Sequence, residues 1–153
     1  MAIDLEKAYP DTNIANQVKD FPRRVPDLGI ELYDIKTSTR DSFGFEFWWY
    51  LFQRPGSEVV LKISIAWPAP SIYISFSRDK DRFSFADYLV YLGSDELKKL
   101  DAKVIDQRPN YTNKHNISDT LNLLEKYLKE GALAKVAAGE LWIDVPFDWT
   151  GIK

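Results

Sequence analysis

The sequence predicts an α+β domain: a four-stranded antiparallel meander sheet, with an N-terminal helix and C-terminal helices packed on it. Three observations predict this. Four apolar segments follow one another between residues 29 and 78, joined by short connections, "TSTRD", "RPGSE" and "PAPS", made of turn-forming residues. Short connections make consecutive strands antiparallel neighbours. Past Ser84 the apolar spacing changes from alternation to a helical period, and strands followed by helices in separate blocks mean α+β. The chain has 153 residues, with no linker, repeat or low-complexity segment, so it reads as one domain over 1–153.

The first helix follows "PDT". Asp11 or Thr12 can cap it, and Ile14, Val18 and Phe21 share one face. Pro22 ends it, and Pro26 is expected to keep the next stretch extended.

The four strands are expected at 29–37, 43–53, 59–67 and 71–78. In the third, Val59, Leu61, Ile63, Ile65 and Trp67 alternate with more polar residues, so the odd positions face the core. Pairing Gln53 with Val59 across "RPGSE" sets Leu51 against Leu61, Trp49 against Ile63, Phe47 against Ile65 and Phe45 against Trp67. Pairing Trp67 with Ile72 sets Ile74 against Ile65 and Phe76 against Ile63. By subtraction, the outer face carries Glu46, Trp48, Tyr50 and Phe52. Lys62, Ser64, Ala66, Tyr73, Ser75 and Ser77 lie beside them.

Helices fill the second half. Ser84 caps a helix stopped by Gly93, and "SDELKKL" has acids at its start and lysines at its end. "DQRPNYTNKHN", with His115, is polar and predicts a loop. Ile117, Leu121, Leu124 and Leu128 form one helical stripe that Gly131 ends. "ALAKVAAG" predicts a short helix before Gly139. The tail from Glu140, with Trp142, Phe147 and Trp149, predicts an extended arm or a short strand.

Hydrophobic content is 45% and charged content 28%, as in soluble globular proteins. No apolar run is long enough for a transmembrane helix. "MAIDLEKAYPD" lacks the pattern of a signal peptide, so a cytoplasmic protein is expected. No cysteine is present, which excludes disulfides and thiolate zinc sites. The net charge of −3 and the small basic clusters, including "RDKDR" at 78–82, argue against nucleic-acid binding. There is no GxGxxG or Walker loop and no nucleophile elbow, so no cofactor is expected. His115 is the one histidine and reads as a solvated loop residue. The 117–128 helix lacks the basic polar face that a membrane-surface helix would carry. The composition and motifs predict a binding protein rather than an enzyme.

The unusual feature is aromatic content, 14% with five Trp. Trp48, Tyr50, Phe52 and Tyr73, set among Ser and Lys on the predicted outer face, are the residue types of interface anchors. Taken with small size, mild acidity and the absence of cysteine and cofactor motifs, this profile resembles bacterial toxin-neutralising immunity proteins of contact-dependent-inhibition and polymorphic-toxin systems. The resemblance spans the whole chain and rests on no signature motif. It implies a cytoplasmic inhibitor of one cognate protein toxin, blocking its active site or a neighbouring exosite. Glu46, Asp144 and Asp148 would then face basic toxin residues. Three alternatives stand beside it. One is a small apolar-ligand or enzymatic domain whose pocket is lined by the aromatic strand, with Glu46, His115 or Tyr73 as polar groups. Another is burial of the rings by the chain's own helices. The third is a homodimer.

Overall fold

In a computed structural model, residues 8–38, 44–68, 70–94, 96 and 114–146 are described. The chain is α+β. A five-stranded antiparallel sheet runs in sequential order, β1 (Glu31–Thr37), β2 (Glu46–Gln53), β3 (Val59–Trp67), β4 (Ile72–Arg78) and β5 (Asp81–Ser84). Helix α1 (Thr12–Lys19) precedes it. Helices α2 (Phe85–Tyr91), α3 (Lys114–Lys129) and α4 (Ala132–Ala137) follow it.

Local chemistry accounts for most of these boundaries. The Asp11 carboxylate accepts from the Ile14 amide and starts α1. Helix α1 ends before Pro22 as predicted, and Pro22 lies in a 3-10 turn, Phe21–Arg24; Pro26 opens a second, Pro26–Leu28, instead of keeping the chain extended as predicted. A proline near the start of such a turn has no amide to lose and already has the required φ. The Ser84 hydroxyl accepts from Asp87 and caps α2. At its end the Ser94 amide reaches back to Leu89 and the Gly93 amide to Val90, with Gly93 at φ +74°. Helix α3 is described from Lys114, so the backbone of His115 is helical and not in the loop predicted there. Of the predicted "SDELKKL" helix, only Ser94 and Glu96 fall among the described residues.

The sheet has one strand more than predicted. "RDKDR" closes a tight hairpin: Arg78 pairs with Asp81 across Asp79–Lys80, and Asp79 takes φ +54°. The last residues of β5, Phe83 and Ser84, pair with Phe76 and Ser75.

The register between β2 and β3 differs from the predicted one by one residue, and this changes the faces. Gln53 pairs with Val60, Phe52 with Leu61, Tyr50 with Ile63 and Trp48 with Ile65. The turn supplies the extra residue. Ser57 closes a β-turn onto the Arg54 carbonyl around Pro55–Gly56, and its Oγ then accepts from the Val59 amide at 3.0 Å. Pairing with β2 therefore begins at Val60. Between β3 and β4 the shift is two residues, Ile65 meeting Ile72 and Ile63 meeting Ile74, so the predicted faces survive there.

All described helices contribute to one core with the inner sheet face. Ile14, Val18 and Phe21 from the N-terminal region are buried with Trp48, Tyr50, Phe52, Leu61, Ile63, Ile65 and Phe76. Ile117, Leu121, Leu124 and Leu128 form the buried stripe of α3 as predicted, and Phe85, Leu89, Leu133 and Val136 complete the layer. The tail at 141–146 forms neither helix nor strand. Its Trp142 ring lies 5.2 Å from that of Phe83, with the Arg78 guanidinium 5.1 Å from the Trp142 centroid. No described helix is long and apolar enough to cross a membrane.

Candidate functional site

Because side chains alternate across a strand, the one-residue shift exchanges the two sets of rings on β2. Trp48, Tyr50 and Phe52, predicted for the outer face, are at most 2% exposed and lie under the helices. This corrects their predicted placement: in this fold they are core and present no surface to a partner. Glu46 follows their parity, pairs with Trp67 and is half-buried at the end of the inner face. Trp48 and Tyr50, expected to line an apolar-ligand pocket in the alternative reading, pack against core side chains and line neither of the cavities described below.

The residues that occupy the outer face are the other set. Three rows cross the sheet there. Lys36, Trp49, Ser64 and Tyr73 form the first, and Asp34, Leu51, Lys62, Ser75 and Ser84 the second. Glu31, Gln53, Val60, Ser77 and Arg82 form the third. Phe47 pairs with Ala66 beyond the first row, and its ring stacks with that of Trp49 at 6.4 Å. Phe47 and Trp49 are half-buried, and Tyr73 is 51% exposed, as its predicted place on this face requires. The small residues between them, Ser64, Ala66 and Ser75, are buried, as is Leu51 in the second row. The Ser64 hydroxyl, in the row between Trp49 and Tyr73, has no hydrogen-bond partner.

The electrostatics of this face are mixed. Lys62 has its pKa lowered, first by desolvation and then by the charge of Arg82. Two cations therefore reinforce one another over the serine-lined part of the face, while Glu31 and Asp34 stand on the β1 edge. That edge is interrupted by a bulge between Leu32 and Asp34, where Tyr33 is exposed. A bulge with flanking charges blunts an edge strand against pairing with another chain.

Of the remaining predicted site residues, Asp144 is described and lies on the tail, outside the three rows. Asp144 is exposed on the tail and lines a shallow hollow of about 330 Å³ with Asp81, Arg82 and Trp142. Asp148, with Phe147 and Trp149, lies outside the described residues, as does the His115 side chain. Among the described residues no group of three or more His, Cys, Asp or Glu could hold a metal ion. A larger cleft, about 630 Å³, opens between Pro26–Leu28, Arg54 and the helices α3 and α4.

Alternation alone could not have found Phe47 and Trp49, because both parities of β2 are aromatic. The usable signal was on β3, where the small residues Ser64 and Ala66 leave room for rings on the neighbouring strand. No family model, no curated protein and no solved structure matches the chain.

Proposed function

We propose that this protein is a protein-binding module and that it docks through the outer sheet face around Trp49 and Tyr73. One observation carries the reading. The described helices pack on the inner face, while the outer face holds a stacked Phe47–Trp49 pair and an exposed Tyr73 among small polar residues. Aromatic anchors in a polar surround are the usual composition of an interface centre. The charges specify complementarity: a carboxylate on the partner faces Lys62 and Arg82, and a basic group faces Glu31 and Asp34. Under the resemblance to immunity proteins, the partner is a bacterial toxin domain neutralised in the cytoplasm. Trp49 and Tyr73 then take the anchoring role that the sequence suggested for Trp48, Tyr50 and Phe52.

Co-expression with the product of the adjacent gene, followed by titration of the purified pair, tests this. A complex should form at micromolar concentration or tighter. Trp49→Ala and Tyr73→Ala should each weaken it by about 2 kcal/mol or more, the loss expected for an anchor, with the melting temperature held. If both variants bind as well as the parent protein, the outer face is not the docking surface. If no complex forms, the toxin-inhibitor reading fails.

A further inference from the structure

We infer that the 630 Å³ cleft between the Pro26–Leu28 turn, the β2–β3 turn and helices α3 and α4 binds a small amphipathic anion, an apolar body bearing one carboxylate. This goes beyond the docking face and does not depend on it. The volume falls in the range of small-molecule sites, roughly 300–1,000 Å³. The floor is apolar, made by Val25, Leu28, Leu128 and Ala134. The rim carries four cations, Arg24, Arg54, Lys129 and Lys135, against two acids, Asp27 and Glu140, in a chain whose net charge is −3. Positive charge is thus concentrated where the chain as a whole is negative.

These cations are not equally committed. Arg24 is held by Asn122 at 2.8 Å, with Glu125 at 3.9 Å, and Lys129 by Glu125 at 3.2 Å. Among the described residues Arg54 has only long contacts, 3.5 Å to the Ala138 carbonyl and 3.9 Å to Glu140. Lys135 has no ion pair among the described residues. The C-terminal turns of α3 and α4 account for Lys129 and Lys135, since helix ends favour cations. They do not account for Arg54, which reaches the rim from a β-turn. A ligand carboxylate can take Arg54 and Lys135 by displacing Glu140, while its apolar body covers the floor.

The walls are built before any ligand arrives. The Arg54 side chain lies over Gly29, with Cγ and Nε each 3.7 Å from where a Cβ would stand. Gly139 ends α4 directly against Ser57, on the same turn that carries Arg54. Preformed walls spare the ordering cost of binding.

Calorimetric titration of the full chain with octanoate tests the inference, with 1-octanol as the uncharged counterpart. Octanoate should bind saturably at one site, with amide shifts at Leu28 and Ala134 in an NMR titration. Arg54→Gln combined with Lys135→Gln should weaken octanoate at least about tenfold and leave octanol binding unchanged. Glu140→Gln should tighten octanoate, because it removes the competitor for Arg54; nonspecific apolar binding would not respond in opposite directions to the two changes. Circular dichroism checks folding, and if the double variant is unfolded, each single variant must itself weaken octanoate. No saturable binding at millimolar octanoate, equal affinity in the charge variants, or shifts confined to residues outside the cleft would each overturn the inference.

Discussion

The hydroxyl of Tyr9 donates a 2.7 Å hydrogen bond to the carbonyl of Ala66. The same ring stands edge-on to Trp48 at 5.0 Å and to Trp67 at 5.6 Å. The segment before α1 is thereby strapped across the ends of β2 and β3 on the inner side. Burial, and secondarily the charge of Asp11, raises the Tyr9 pKa far above the ordinary tyrosine value. Tyr9→Phe should cost about 1 kcal/mol, the usual net worth of one hydrogen bond. Tyr9→Ala should cost about 3 kcal/mol or more, because the ring contacts go too. Urea unfolding of the two variants separates the contributions; equal losses would show that the bond to Ala66 carries most of the strap.

Trp48 and Trp49 are adjacent and should behave oppositely. Trp48→Ala empties a packed site and should cost about 3–5 kcal/mol. Trp49→Ala trims a half-buried ring on the outer face and should cost about 1 kcal/mol or less, in the range of surface changes. Denaturant midpoints of the two variants check the register directly. A more destabilising Trp49→Ala would restore the pairing of Gln53 with Val59.

Gly139 combines a left-handed backbone, φ +81°, with close packing, since a Cβ there would stand 2.8 Å from Ser57 Cβ. Gly139→Ala should cost about 1–2 kcal/mol from the backbone alone, and more from the clash. In a Ser57→Gly background the clash is relieved and the backbone cost stays. Ser57→Gly also loses the bond to the Val59 amide, so a double-mutant cycle is the right measurement. Zero coupling would mean that α4 does not rest on this turn.

Burial pushes the Tyr50 pKa from 10.0 up to about 12. A raised pKa means that the folded protein holds this proton more tightly than the unfolded chain. The corresponding stability is complete below about pH 10 and is lost as pH rises toward about 12, a matter of 2–3 kcal/mol for a shift of this size. Tyr9, Tyr33 and Tyr88 are raised too and act in the same direction. Urea midpoints measured from pH 9 to 12 should fall more steeply for the parent protein than for Tyr50→Phe. Identical slopes would place Tyr50 in contact with water.

Hydrogen bonds and periods that act within a few residues were legible in the sequence. The caps at Asp11 and Ser84, the stops at Gly93 and Gly131, and the stripe from Ile117 to Leu128 each depend on near neighbours, and all stand where the residues place them. The tight hairpin at Asp79–Lys80 was less legible, because a charged turn reads as solvent whether or not a strand follows. Arg82 supports a strand only because β4 lies beside it. The candidate docking face was half legible. Tyr73 was placed on it by alternation on β4, whereas β2 gave no such guide. The cleft was not legible at all, since Arg24, Arg54 and Lys135 meet only after the turns and helices have packed.

By itself the sequence determined the α+β class, the order of the first four strands in the meander and the inward face of β3. A strand with one apolar parity has one way to face a core. On β2 both parities are ring-rich, so the local pattern is degenerate and either face would satisfy it. Tertiary structure broke that tie. The Ser57 bond to the Val59 amide lengthened the turn by one residue, and Tyr9 and the helices closed over Trp48, Tyr50 and Phe52. Phe47 and Trp49 were left to the outer face by the same step, because a shift of one residue turns every side chain of a strand over.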